Sequence, residues 1–176
     1  LSVDEVKALY NWAPGPVGYW PMDEGVSGDA KTIHDLSGYG NNGSTIDGGN
    51  NTGMNCSVVG KIGKACEFDG VDDYINAGTS TVLQPNTYTF EAWVKIRKVA
   101  FNVLASFVTG DYGTIHPGWN SSNPGVIAGK LYGINYASTP INVNDGQWHH
   151  LAYAVVGTSQ NEVDFANTKF YVDGIL

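Results

Sequence analysis

The chain has 176 residues, 42% hydrophobic and only 15% charged, enough for one domain with a sizeable core. Nine Lys and Arg against seventeen Asp and Glu leave a net charge of −8, which excludes a nucleic-acid backbone as partner, because phosphate binding needs clustered cations. No apolar run approaches the roughly 20 residues of a membrane-spanning helix, so no membrane insertion is expected.

In chain order, the first element predicted is a short N-terminal helix. Ser2 is an N-cap with Glu5 three residues on, a capping box, and Val6, Leu9 and Tyr10 share one face. Asn11 and Pro14-Gly15-Pro16 end it and read as a linker. The periodicity then turns to alternation. Residues 17–22 read as a strand and residues 38–53 as a loop belt of Gly and Asn. Residues 65–69 and 74–77 read as a hairpin around Asp69-Gly70. Residues 87–96 are the clearest strand: Tyr88, Phe90, Ala92, Val94 and Ile96 face one way, and Thr89, Glu91, Trp93 and Lys95 the other. Further strands are predicted over 103–108, 126–136, 148–156 and 169–172, the last ending at Asp173-Gly174, with residues 157–167 as a polar loop. Many short strands between Gly, Asn and Pro turns predict an all-β fold, an antiparallel β-sandwich or jelly roll. Trp20, Trp93 and Trp148 are read as core or structural.

Cys56 and Cys66 form one disulfide in a secreted chain, or stay as two buried thiols in a cytosolic one. The even count in a tryptophan-rich, glycine-rich β chain favours the disulfide, and with it an extracellular or cell-surface location. Asn42, Asn50, Asn55 and Asn120 each head a glycosylation triplet, a pattern that an Asn- and Ser-rich chain also produces by chance. Leu1-Ser2-Val3-Asp4-Glu5 is acidic and has no signal-peptide character, so a secreted origin implies a mature chain or a fragment.

Several motifs occur in order. They are Tyr19-Trp20-Pro21-Met22-Asp23-Glu24-Gly25, Asp35-Leu36-Ser37-Gly38-Tyr39-Gly40-Asn41-Asn42-Gly43, and Gly60-Lys61-Ile62-Gly63-Lys64-Ala65 leading into Phe68-Asp69-Gly70-Val71-Asp72-Asp73-Tyr74. Then come Phe90-Glu91-Ala92-Trp93-Val94, Asp145-Gly146-Gln147-Trp148-His149-His150-Leu151-Ala152 and Phe170-Tyr171-Val172-Asp173-Gly174. From Val17 onward this series resembles the laminin-G-like, concanavalin-A-like jelly-roll domains. The resemblance implies a domain over 17–176, preceded by a helix and linker, 1–16, like the tail of a preceding repeat. Such domains continue past the Tyr-Val-Asp-Gly turn, so the chain is expected to be a segment of a tandem array whose open edge a neighbouring subunit or repeat fills by strand addition.

The family spans carbohydrate binders, adhesion modules and structural spacers. It implies a non-catalytic module recognising a glycan or glycoprotein, with a filament or adhesin-stalk subunit as the alternative. Trp119, in the polar loop Gly118-Trp119-Asn120-Ser121, is the candidate sugar-stacking residue, with Tyr112, Tyr132 and Tyr136 beside it. Related jelly rolls bind a structural Ca2+ near the first loop belt. Asp23, Glu24, Asp35 and Asn41 offer the hard oxygens that ion takes. Asp69, Asp72 and Asp73 form a second acidic group, read as turn chemistry. Glu162-Val163-Asp164-Phe165 resembles the start of a glucanase carboxylate cluster, but Ala166-Asn167 stands where the acid/base partner follows, and an amide cannot relay that proton. No catalytic residue is therefore assigned. His149 and His150 point to opposite faces of one strand and cannot chelate one metal together.

Overall fold

The computed structural model describes residues 2–5, 15–49, 54–83, 87–97, 105–106, 114–117, 127–131, 134–135, 143–159, 162–163 and 168–176. The capping box forms at the N-terminus, where residues 3–5 make one helical turn. Ser2 Oγ accepts the Glu5 amide at 3.2 Å, and Glu5 Oε2 accepts the Ser2 amide at 2.6 Å. Val6, Leu9 and Tyr10 lie outside the described residues.

The strands are β1 (Thr32–Ile33), β2 (Gly43–Asp47), β3 (Asn55–Val59), β4 (Lys64–Glu67), β5 (Asp73–Asn76), β6 (Tyr88–Lys95) and β7 (Ala105–Ser106), followed by β8 (Thr114–Pro117), β9 (Ile127–Leu131), β10 (Ile134–Asn135), β11 (Trp148–Val155), β12 (Gly157–Ser159), β13 (Glu162–Val163) and β14 (Lys169–Val172). Every pairing between them is antiparallel. The fold class is all-β, of the antiparallel jelly-roll kind, as expected. The chain divides into two compact units, Leu1–Ser80 and Thr81–Leu176.

The first unit holds a sheet in the order β1-β2-β5 and a ribbon, β3-β4. Three expectations are corrected here. The loop belt contains strand β2, whose Gly43 and Thr45 are buried. A side chain at Gly43 would press on Ile75, so the glycine permits the close approach of β5. Residues 17–22 form no strand. Pro21 lacks a donor and Met22 sits at φ 61°, which breaks a ladder, while the Tyr19 amide goes to the Asp35 carboxylate at 2.9 Å. Residues 65–69 and 74–77 form no hairpin either. Strand β4 pairs with β3, and β5 with β2. The intervening residues turn on aspartate side chains: Asp69 Oδ1 accepts the Val71 amide at 2.8 Å, and Asp73 Oδ2 accepts the Asp69 amide at 2.9 Å. Gly70, at φ 75°, is the only residue of that turn with positive φ, where a two-residue hairpin with Asp-Gly at its centre needs two. The Cys56–Cys66 disulfide is present and fastens β3 to β4. Cys56 is buried with Ile33 and Met54, and Trp20, Met22, Val26, Cys66 and Ile75 surround them.

The second unit holds the sheet β14-β11-β6, the sheet β10-β9-β8-β7 and the ribbon β12-β13. That ribbon occupies the segment expected to be a polar loop. Strand β11 pairs with β6 along its whole length, from Trp148 opposite Lys95 to Val155 opposite Tyr88. Its other side pairs with β14, Leu151 opposite Val172 and Tyr153 opposite Phe170. The period of two then sorts the side chains. Val94, Leu151, Tyr153, Val155 and Val172 are buried on one face together with Val143, and Tyr88, Phe90, Ala92, Ile96 and Phe170 pack around them. Tyr153 stacks on Phe170 at 4.0 Å and meets Tyr88 edge-on at 6.5 Å, the edge-on contact being one that aromatic quadrupoles favour. After β14, Asp173 and Gly174 adopt φ 51° and 79°. Val172 and Ile175 bond across them, which is the tight mirror-type turn that the Asp-Gly pair encodes.

Candidate functional site

Trp119, Tyr112, Tyr132 and Tyr136, the aromatic residues expected to stack on sugar, lie outside the described residues, as do Asn50, Asn120 and Asp164. Of the remaining glycosylation candidates, Asn42 is exposed and its Oδ1 accepts the Asp35 amide at 2.9 Å. Asn55 is half-buried on β3, with Oδ1 accepting from Ser27 Oγ and the Ser57 amide.

The four residues expected to hold calcium serve as backbone acceptors and donors in the first unit. Asp35 Oδ1 accepts the amides of Tyr19 and Ser37, and Oδ2 that of Asn41, each at 2.9 Å. Burial alone raises its pKa, but the bonds from Ser37, Tyr19 and Asn41 outweigh burial and hold it at about 2. Asn41 donates from Nδ2 to the Val17 carbonyl, and its own carbonyl accepts Trp20 Nε1 at 2.8 Å. Asp23 Oδ1 accepts the Lys64 amide at 2.7 Å, and Glu24 Oε1 the His34 amide at 2.7 Å. These contacts knot residues 17–24 to residues 34–42 and to β4. They do not gather the carboxylates of Asp23, Glu24 and Asp35 at one point.

Another acidic group does converge. Asp69, Asp72 and Asp73 bring carboxylate oxygens within 4.8 Å of one another. Asp47 stands opposite Asp73 in the β2–β5 register. Oδ1 of Asp47 and Oδ1 of Asp73 are both buried and find no donor while both groups are ionised. The pKa of Asp73 is pushed up, first by burial, then by the charges of Asp69 and Asp47 and by a hydrogen bond with the Asp47 side chain that only a protonated carboxyl can make, against the pull of the Asp69 amide. Gly48 backs the group, since a side chain there would collide with Asp72. Converging carboxylates are a donor set for a hard cation such as Ca2+; Glu24 Oε2 at the first loop belt is likewise buried without a partner, but among the described residues it is Asp69, Asp72 and Asp73 that gather within 4.8 Å of one another.

In the second unit, His149 is held between two aspartates. Its Nδ1 lies 2.7 Å from Asp173 Oδ2 and its Nε2 3.1 Å from Asp145 Oδ1. Asp173 Oδ1 also accepts the His150 amide at 2.8 Å, and Asp145 Oδ1 the Gln147 amide at 2.8 Å. Burial alone lowers the imidazole pKa, but the two carboxylates outweigh burial and raise it. Asp173 is lowered first by its bond from His149, and Asp145 first by the Gln147 amide. The arrangement pins the turn before β11 to the turn after β14. Sequence reading placed His149 and His150 on opposite faces but missed the clamp, because nothing local reveals that Asp173 is His149's neighbour.

The face of β6-β11-β14 opposite the core carries Trp93, which is 41% exposed. The core reading of Trp93 is therefore corrected, and the alternation that set it beside Glu91 and Lys95 is upheld. The indole lies 5.2 Å from the His150 ring, tilted by 58°. His150 Nε2 stands 3.7 Å from Glu91 Oε2.

No helix among the described residues is long and apolar enough to cross a membrane. Residues 69–176 match the family described as the concanavalin A-like lectin/glucanases superfamily. The match begins inside the Asp69–Tyr74 motif, where the resemblance had been read from Val17. Neither a curated protein nor a solved structure matches the chain. On the family match and the all-antiparallel strands together, the chain belongs to the concanavalin A-like lectin/glucanases superfamily.

Proposed function

We propose that the protein is a non-catalytic, extracellular carbohydrate-binding module that recognises a glycan or the glycan of a glycoprotein. The observation that carries this reading is membership of a lectin and glucanase superfamily across residues 69–176. The Cys56–Cys66 disulfide supports placement in an oxidising compartment. Trp119, with Tyr112, Tyr132 and Tyr136, is the proposed loop contact, because an indole face stacks on the C–H face of a pyranose. Calcium belongs to the reading as a structural ion. Asp69, Asp72 and Asp73, with Asp47, are the residues that would hold it, neutralising their mutual repulsion and stiffening the turn into β5.

The test is binding of the intact chain to an array of immobilised glycans, alongside Trp119→Ala. Retention on a defined set of glycans by the wild type, weakened about tenfold or more in the variant, is expected. A wild type that binds no glycan on the array sinks the carbohydrate reading.

A further inference from the structure

The His149 clamp needs one proton more than a neutral imidazole carries. Nδ1 faces Asp173 Oδ2 at 2.7 Å, and Nε2 faces Asp145 Oδ1 at 3.1 Å. Ionised carboxylates only accept, so both contacts are hydrogen bonds only while both ring nitrogens carry hydrogen. A neutral imidazole has one N–H, and its other nitrogen then turns a lone pair on a carboxylate. Loss of that proton to solvent breaks one side of the clamp and leaves the other.

The surroundings decide which side breaks. Asp173 is fixed from several directions. Its Oδ1 accepts the His150 amide at 2.8 Å, its own amide bonds the His150 carbonyl at 2.9 Å, and it lies in the turn that Val172 and Ile175 close. The ring contact to Asp173 is also the shorter of the two. Asp145 shares a single oxygen between Nε2 and the Gln147 amide. Its turn is held further by the Gly146 amide on the Ile96 carbonyl at 3.0 Å. Asp145 is therefore the carboxylate that can swing away.

Asp173 and Asp145 are the charges that act on the ring. Burial lowers the imidazole pKa, and the two carboxylates outweigh it and raise it. Among the described residues, the other charged groups around the clamp are Arg97, whose side chain passes Gly146, and Lys95, opposite Trp148 in the register. His150 turns to the opposite face of the sheet, toward Glu91. We propose that His149 is a one-sided proton switch. Deprotonation keeps Nδ1–H on Asp173, releases Asp145 and loosens the turn 145–147 ahead of β11, while the turn after β14 stays closed.

The test is NMR of the intact chain from about pH 5 to about pH 9, a range that brackets the ordinary histidine value. Above its titration, the ring of His149 should carry its proton on Nδ1, read from the shifts of the two ring nitrogens. Over the same range, protection of the Gly146 and Gln147 amides against hydrogen exchange should fall about tenfold or more after correction for the intrinsic rate. Protection of the His150 and Asp173 amides should not change. In Asp145→Asn, which removes the carboxylate facing Nε2, the pH dependence at Gly146 and Gln147 should vanish. A proton on Nε2 above the titration, with protection lost at His150 and Asp173 instead, overturns the assignment of sides. Equal protection at both ends of the range, equal loss at all four amides, or an unchanged pH dependence in Asp145→Asn overturns the switch.

Discussion

His149 illustrates what a single residue contributes here. Its ring is only 13% exposed, and both nitrogens face carboxylates, so the imidazolium is the form the site favours. Its folded pKa lies above the ordinary value of about 6.5. The stabilisation is therefore fully present below about pH 6.5 and is lost as pH rises through the folded value. Asp173 and Asp145 are lowered, so their part is present above about pH 4 and is lost as pH falls through their folded values. Thermal unfolding of the wild type should show a midpoint that declines as pH rises from about 6.5 through the folded value of His149. His149→Gln should lower the midpoint near about pH 6, where the imidazolium is bonded to both aspartates, and should flatten that decline. An alkaline decline of the same size in the variant would show that His149 is not its source. Asp173 was legible as a turn residue, since it precedes Gly174 at the end of a strand, whereas Asp145 was read only as part of a motif. Their meeting at one imidazole depends on strand register, which no local pattern carries.

Among the elements, those with strong alternation were read with near-correct bounds. Strand β14 was read over the residues it occupies, β11 to within one residue at its C-terminal end, and β6 to within one residue at each end. These strands have one buried and one outward face, so their composition repeats every second residue. Strand β2 was hidden because Gly43-Ser44-Thr45-Ile46-Asp47 sits in a run of Gly and Asn, and its burial comes from β1 and β5. The hairpin expected at Asp69-Gly70 failed because β4 is already paired with its preceding neighbour β3 across residues 60–63, and β5 reaches back past that ribbon to β2.

The β2–β5 pairing brings Asp47 beside Asp73, and a repulsive end of this kind responds to a cation. Millimolar Ca2+ should raise the unfolding midpoint, and EDTA should reverse the rise. The gain is about 1.4 kcal/mol when the free ion is ten times its Kd. Asp73→Asn should stabilise the chain in EDTA, because it removes a raised, like-charged carboxylate, and should abolish the calcium increment. Equal midpoints in Ca2+ and EDTA for the wild type would remove calcium from the account.

At the scale of the whole molecule, fold class was legible from composition, alternation and the ordered motifs, and the family match over residues 69–176 bears it out. The exposed aromatic on the sheet was half legible. Alternation set Trp93 among polar neighbours while the residue was read as core or structural, and its 41% exposure excludes the core. Function was less legible than fold, because this architecture carries lectins and glucanases alike, and recognition is separated from hydrolysis by particular carboxylates. Glu162 lies on β13, and Asn167 stands where a proton-transferring partner would be needed.

The most direct measurement is saturation-transfer NMR of the intact chain with neutral oligosaccharides, followed by reducing-end analysis of the same samples after prolonged incubation. A binding module predicts transfer to the sugar ring protons and oligosaccharides recovered intact. Absence of transfer to every sugar would contradict the account, as would release of reducing ends that disappears in Glu162→Gln.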